Sequence, residues 1–298
     1  MILVFGGGGQ LGLELARKAA SDGCELVSLT HRECDIADER AVAMALRARQ
    51  PELVINAAAY TKVDQAENDP DDARRGNEIG PDVLARNCAI IGTPLIHIST
   101  DYVFDGEKDG AYSEQDPVAP ISVYGRTKAA GEAAVRRALE HHVIVRTAWV
   151  YSEFGSNFLK TILRLTHERD ELRIVADQQG SPTSARDLAS ALLFISPRLI
   201  KRENVWGTYH FAGLGVTTWF AFAQRIVAAQ EPFTGKHPQI FPIASADYPT
   251  RAKRPRNSRL NCDAFIETFK FLPQVWTEEA DAVVQACMNS ASKESPRA

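Results

Sequence analysis

Ile2-Leu3-Val4-Phe5 is a continuous apolar run that ends in glycine, and Leu11 to Ala20 follows with apolar residues at helical spacing. Glu25 to Leu29 is a second apolar run, which completes a strand, helix and strand within about 30 residues, the length of a βαβ unit. The pattern repeats. Ala41 to Arg49 predicts a helix, Leu53 to Ile55 a strand, Val83 to Ala89 a helix and Pro94 to Ile98 a strand. Pro117 and Pro120 punctuate a loop, a helix with Tyr124 near its start runs towards Leu139, and His142 to Arg146 is a further strand.

Alternation of this kind predicts an α/β fold, a Rossmann-type doubly wound parallel sheet with helices on both faces. Beyond Trp149 the alternation loosens. Helices are expected near Asn157 to Glu168 and Ala185 to Ile195, with the turn-rich Asp177-Gln178-Gln179-Gly180-Ser181-Pro182 between them. Tyr209 to Phe211 reads as a strand, Thr217 to Ala229 as an amphipathic helix and Trp276 to Met288 as the last helix. The expected organisation is a dinucleotide-binding domain over 1–150, rejoined by about 184–204, and a smaller, discontinuous substrate-binding domain over 151–183 and 205–288. Residues 289–298 are polar and are expected to fray.

Composition excludes several classes of function. The 298 residues are 45% hydrophobic, enough for a sizeable core, and 34 Lys and Arg against 38 Asp and Glu give a net charge of −4. That balance offers no electrostatic case for a nucleic-acid or anionic-membrane partner. The first apolar run is too short for a signal segment or a spanning helix, so cytoplasmic residence is expected. The five cysteines, Cys24, Cys34, Cys88, Cys262 and Cys287, are odd in number and never in a CxxC arrangement, which indicates neither a disulfide framework nor a zinc site. His141 and His142 are adjacent, point in different directions and have no ligand partner at useful spacing, so they read as surface residues.

Chemistry enters with Gly6-Gly7-Gly8-Gly9-Gln10-Leu11-Gly12, which follows a strand and opens a helix. Gly6, Gly9 and Gly12 fit the spacing GxxGxxG, which lets backbone N–H groups at a helix N-terminus approach a pyrophosphate. An acid commonly ends the second strand of such folds and binds the adenosine ribose, but here the chain reads Leu29-Thr30-His31-Arg32. Arg32 with Thr30 beside it suits a ribose 2′-phosphate, which favours NADPH, with NADH as the second option; the competing reading is a solvated loop charge. Asp35-Ile36 stands where adenine would lie, and Ala57-Ala58-Ala59 supplies small side chains where the cofactor must pass closely.

Ser99-Thr100-Asp101 follows a predicted strand and so projects from the carboxyl edge of the sheet, the same edge as the glycine turn. Tyr124 and Lys128 stand four apart on the next helix, where they share a face with Cβ atoms roughly 6 Å apart. The order glycine turn, Ser/Thr, Tyr, Lys resembles the short-chain dehydrogenase/reductase superfamily, closest to its extended, nucleotide-sugar branch. Within that branch the chain resembles the dTDP-4-dehydrorhamnose reductase family. The matching segments are Gly9 to Gly12, Asn56 to Asp64 (with Ala59, Tyr60 and Thr61), Ser99 to Gly106, Tyr124 to Lys128, Arg146 to Tyr151 and Arg254 to Leu260.

The resemblance implies hydride delivery from NADPH to a C4 carbonyl, with Tyr124 protonating the developing alkoxide. A Lys128 ammonium near the phenol is expected to lower its pKa from roughly 10 and to hold the nicotinamide ribose. Thr100 takes the usual serine position and would polarise the carbonyl, and Asp101 would bind a sugar hydroxyl. Trp149 matches a sugar-contacting tryptophan, with core packing as the competing reading, and Asn157 is a further expected substrate contact. Arg254, Arg256 and Arg259 suit a diphosphate, Arg254 and Arg259 first among them, where a solvated charge run is the plainer alternative.

Some relatives form a magnesium-assisted homodimer through acidic residues on the first helix and after a Gly-x-Pro-Thr turn. Glu14 fits the first position, but Arg186 follows Ser181-Pro182-Thr183 where a carboxylate is wanted, so no structural metal is expected and the homodimer stays open. Two rival functions remain in view. One is another nucleotide-sugar reductase or epimerase; the other is a dinucleotide-binding regulatory subunit such as that of methionine adenosyltransferase, against which the intact Thr100, Tyr124 and Lys128 set weighs.

Overall fold

Six parallel strands make the main sheet: β1 (Ile2–Phe5), β2 (Leu26–Leu29), β3 (Leu53–Asn56), β4 (Leu95–Thr100), β5 (His142–Thr147) and β6 (Gly207–His210). A computed structural model describes residues 1–294, with side chains described through residue 290. The strands run in the order β6-β5-β4-β3-β1-β2, so the chain reverses its direction of travel between β1 and β3. A reversal of this kind opens a crevice at the carboxyl ends of the strands, where ligands of doubly wound sheets bind.

Eight longer helices accompany the sheet: α1 (Gln10–Asp22), α2 (Glu39–Arg49), α3 (Gly80–Ile91), α4 (Val123–Ala138), α5 (Phe158–Glu168), α6 (Ala185–Ile200), α7 (Trp219–Thr234) and α8 (Trp276–Glu294). Side chains alternate across a strand, and β1 shows what this does to the core. Ile2 and Val4 pack with Leu11 and Leu15 of α1 and Leu188 and Leu192 of α6, while Leu3 and Phe5 pack with residues of α2, α3 and α4. Burial on both faces is the reason the strand sequences are continuous apolar runs. A separate cluster joins Leu159 and Ile162 of α5, Phe222 and Ile226 of α7, and Val283 and Val284 of α8.

The expected fold is present, with differences at particular elements. The strand expected at Tyr209 to Phe211 begins at Gly207 and pairs with β5, so the main sheet takes in residues beyond 204. Helix α6 continues past Ile195 to Ile200, and α8 continues past Met288 to Glu294, through part of the tail expected to fray; residues 295–298 lie outside the described residues. Two short helices, Val63–Ala66 and Pro70–Arg74, and a π-helical turn, Arg75–Ile79, fill a stretch whose sequence shows no apolar period. Among the described residues no helix is long and apolar enough to cross a membrane.

Candidate active site

The glycine turn owes its shape to close approach. Gly6 has φ of 91°, and a Cβ there would stand 2.5 Å from the Ala58 nitrogen, across the reversal point of the sheet. A Cβ on Gly12 would stand 2.3 Å from the Gly6 carbonyl oxygen, so α1 can begin this close to the turn only with glycine. Gly9 caps α1 without any side-chain hydrogen bond, and no acid occupies the first turn. Those first amides, at the positive end of the helix dipole, therefore remain available to an anion, and the residues present fit a dinucleotide's pyrophosphate. Gln10 turns its side chain away, accepting from Asn157 Nδ2 at 2.8 Å, and Leu11 is buried in the core.

At the end of β2 a later acid approaches the residues expected from the sequence. No acid stands at the strand end, yet Glu33 folds back so that its Oε2 accepts from both the Thr30 amide and the Thr30 hydroxyl, each at 2.8 Å. Arg32 is exposed and has no hydrogen bond or ion pair among the described residues. Asp35 accepts from Ala37 N–H at 3.0 Å and from Arg75 at 2.8 Å; burial alone would raise its carboxyl, but these bonds hold it below the usual range. Ile36 is buried against Gly80, where a Cβ would stand 2.5 Å from Ile36 Cδ1.

The loop after β3 is braced from both sides. Asn56 Oδ1 accepts from Ala58 N–H at 3.1 Å, and its Nδ2 donates to Nδ1 of the fully buried His97 at 3.0 Å. Asn77, in the π-helical turn, accepts from Tyr60 N–H at 2.9 Å and donates to the Tyr60 carbonyl at 3.0 Å and to Thr127 Oγ1 at 3.2 Å. Ala59, Tyr60 and Thr61 are thereby tied to α4, the helix that carries Tyr124 and Lys128. The π-helical turn, a form often found at functional sites, aims Asn77 at both elements.

Thr100 ends β4, and its hydroxyl donates to Asp101 Oδ1 at 2.9 Å while accepting from Tyr102 N–H at 3.2 Å. The Tyr124 phenol lies close to this hydroxyl, and its ring meets Tyr102 edge-on with centroids 5.6 Å apart. Ser122 caps α4 by accepting from Gly125 N–H at 3.1 Å, which places Tyr124 in the first turn facing β4. Burial raises the Tyr124 phenol; the nearby Thr100 hydroxyl eases this, and the Asp101 and Tyr102 charges add to it. The expectation that Lys128 lowers the phenol fails in the free protein for a physical reason. Lys128 is itself buried, is pushed down to about 8, and donates to the Ile98 carbonyl at 2.6 Å.

Lys128 stands on a buried charged floor. Glu132, one turn further along α4, accepts from Arg146 Nε at 2.8 Å and Nη2 at 2.7 Å, from Arg136 at 2.6 Å and from Ser99 at 2.6 Å. Burial disfavours the Glu132 charge, but these donors outweigh it and hold the carboxyl low. Arg146 and Glu132 are 2% and 1% exposed, a pair that fixes α4 against β5. Asp101 is different. Thr100 serves its Oδ1, the Ser258 hydroxyl close by gives its proton to the Gln179 carbonyl at 3.3 Å, and Oδ2 is buried without a partner. Burial pushes this carboxyl up to about 6, against hydrogen bonding that eases it.

Trp149 lies next to that oxygen through Ser258, to which its indole N–H donates at 3.1 Å. It stacks on Trp219, centroids 3.5 Å apart and planes 9° apart, and has φ of 47°, unusual for a bulky residue. Strain of this sort persists only where surrounding contacts impose it. Gly180 makes room for the ring, since a Cβ there would stand 2.5 Å from Trp149 Cε2. Trp219 and Ser258 were not singled out in the sequence because nothing local marks them; they meet Trp149 across 70 and 109 residues.

The chain aligns with a known family over nearly all its length: the family described as RmlD substrate binding domain matches residues 1–289. The dTDP-4-dehydrorhamnose reductase of Sinorhizobium fredii is 42% identical over 289 residues, covering 96% of this chain and 97% of the relative. The chain belongs to the dTDP-4-dehydrorhamnose reductase family. Members of this family are NAD(P)H-dependent oxidoreductases. The crystal structure of the Clostridium acetobutylicum dTDP-4-dehydrorhamnose reductase superposes with a TM-score of 0.89 at 36% identity, covering 96% of this chain and 98% of that one. That of Bacillus anthracis, solved in complex with NADP, superposes with a TM-score of 0.88 at 33% identity and the same coverage.

The remaining residues expected from the family resemblance lie in several settings. Asn157 caps α5, accepting from Lys160 N–H at 3.0 Å, and donates to Gln10 and to the Ser152 carbonyl at 2.7 Å, so its side chain joins the glycine turn to α5. Arg254 donates to Asp64 Oδ2 at 2.6 Å and to Tyr102 Oη at 3.4 Å, beside a cavity of about 740 Å³ lined also by Asn68, Tyr248 and Arg251. Arg259 turns elsewhere, donating to Asn257 Oδ1 at 2.9 Å and to the Asp109 carbonyl, so the two arginines are not brought together. Glu14 is buried and bonds Arg17 and Ser152, while Arg186 pairs with Glu279 at 2.9 Å. Among the described residues no group of three potential ligands gathers around a metal-sized site.

Proposed function

We propose that this chain reduces the C4 keto group of dTDP-4-dehydro-L-rhamnose to give dTDP-L-rhamnose, using NADPH with NADH as the second cofactor. The observation that carries the reading is the meeting of Thr100, Tyr124 and the unpartnered Asp101 oxygen at the carboxyl edge of β4, on the same edge as the uncapped start of α1. Bound there, a dihydronicotinamide supplies the hydride. Thr100 and Tyr124 address the carbonyl oxygen, and Tyr124, kept protonated by its burial, gives that oxygen its proton. Lys128, held by the Ile98 carbonyl one turn along α4 from Tyr124, binds the nicotinamide ribose and carries positive charge below about pH 8. Asp101 Oδ2 accepts from a sugar hydroxyl, Trp149 lies along the sugar ring and Arg254 receives the diphosphate.

The test is NADPH oxidation by the purified chain with enzymatically made dTDP-4-dehydro-L-rhamnose. Tyr124→Phe should cut turnover by about 100- to 10,000-fold, the usual value of a general acid, with dinucleotide affinity unchanged. Full turnover in that variant would remove Tyr124 from its role. Isomerised sugar without net NADPH consumption would point to an epimerase, and absence of turnover on any 4-keto sugar would favour a regulatory subunit.

A further inference from the structure

The adenosine end of the dinucleotide site holds an acid that lies outside the usual sequence position. Thr30 is the first residue beyond β2 and borders the glycine turn, its Cγ2 lying 3.6 Å from where a Cβ on Gly8 would stand. Its amide and hydroxyl both point at one Glu33 oxygen, 2.8 Å from each, and these two bonds hold the Glu33 carboxyl below its ordinary range. Arg32, the adjacent residue, is exposed and without a partner among the described residues. The neighbouring acid, Asp35, is taken up by Arg75 at 2.8 Å.

We propose that Glu33 is a specificity-determining residue for the cofactor's adenosine ribose, a built-in anion that holds the Thr30 donors against a 2′-phosphate. The inference rests on the dinucleotide reading of the Gly6 to Gly12 turn. An acid after the second strand of such folds accepts from the ribose hydroxyls and favours the cofactor without the extra phosphate. Glu33 performs this duty from four residues past the strand, by folding back onto Thr30. A ribose hydroxyl can donate to the carboxylate as it stands. A 2′-phosphate, with a charge of about −1.5 to −2, can use the Thr30 amide and hydroxyl only after displacing it. Arg32 acts in the opposite sense, offering an unpaired guanidinium to that phosphate. The two adjacent side chains thus oppose each other, and their balance sets the preference between NADPH and NADH.

The experiment is calorimetric titration of the full chain with NADP+ and with NAD+, for the unmodified chain, Glu33→Gln and Arg32→Ala. Both residues are exposed, so neither variant threatens folding, and a melting curve confirms it. Glu33→Gln should tighten NADP+ by roughly tenfold, the value of one charge-assisted hydrogen bond, and leave NAD+ unchanged or weaker. Arg32→Ala should move the ratio of the two dissociation constants the other way by a similar factor. A ratio that stays within about twofold in Glu33→Gln would overturn the inference, since that is under half a kcal/mol. Failure of the unmodified chain to bind either dinucleotide would overturn the dinucleotide reading itself.

Discussion

Asp101→Asn should stabilise the free protein at neutral pH while weakening its hold on the nucleotide sugar. Burial raises the Asp101 carboxyl from 3.8 to about 6, because Oδ2 is removed from water without a donor of its own. A group whose native pKa is raised contributes stability that is complete below the unfolded value and is lost as pH climbs through the native one. The window therefore runs from about pH 4 to about pH 7, and the loss across it is on the order of 3 kcal/mol, at about 1.4 kcal/mol for each tenfold in proton affinity. Asparagine is nearly isosteric, keeps an acceptor for the Thr100 hydroxyl and carries no charge to desolvate. The assay is urea denaturation of both proteins from pH 4 to pH 8. The two should match near pH 4 and diverge to roughly 2–4 kcal/mol by pH 8.

The same oxygen predicts the functional half. A sugar hydroxyl donating to a buried carboxylate contributes about 1.5–3 kcal/mol, so the variant should bind nucleotide sugar about 10- to 100-fold more weakly. In the unmodified protein that affinity should fall as pH drops through about 6, and in Asp101→Asn it should not. A stability gap that does not change with pH would refute the reasoning, because it would mean that the carboxylate is not paying a burial cost in the free chain.

Lys128 is pushed down to about 8 by burial, against the pull of Glu132, so kcat/KM should decline as pH rises through about 8 and the ammonium is lost; a flat profile there would contradict a role for its charge. Gly180→Ala places a Cβ where Trp149 Cε2 is 2.5 Å away, so the indole must leave Trp219, which ligand-free tryptophan fluorescence should report together with a raised KM for nucleotide sugar. Glu132→Gln strips the carboxylate from an Arg146 that is 2% exposed and should cost about 3–5 kcal/mol by chemical denaturation, as breaking buried pairs does.

What the sequence showed, and what it hid, divides by distance along the chain. The glycine turn, the β4 edge and the Tyr124 to Lys128 spacing were legible because each is a local pattern whose structural meaning follows from strand or helix period. Helix ends were read short where α6 and α8 continue, since tertiary packing carries a helix past the point where local signals weaken. The electrostatics of the site were not legible. A Tyr and a Lys on one helix face suggested a depressed phenol, but the outcome depends on burial and on where the Lys128 nitrogen points, and it points at Ile98.

Glu33 and Ser258 carry the argument further. Glu33 was invisible as a ribose acid because the usual spacing rule assumes a side chain at the strand end, whereas here four loop residues let a later carboxylate reach the same donors. Ser258 sits 109 residues from Trp149, whose indole N–H it accepts, and its hydroxyl lies 3.3 Å from the Gln179 carbonyl and close to Asp101. Asp101 Oδ2 is left buried without a hydrogen-bond partner among the described residues. A fully satisfied Asp101 would be a structural carboxylate; an unsatisfied one is held at a cost that binding a hydroxyl removes. On the proposed reading, a substrate hydroxyl would supply the donor that Asp101 Oδ2 lacks in the ligand-free chain.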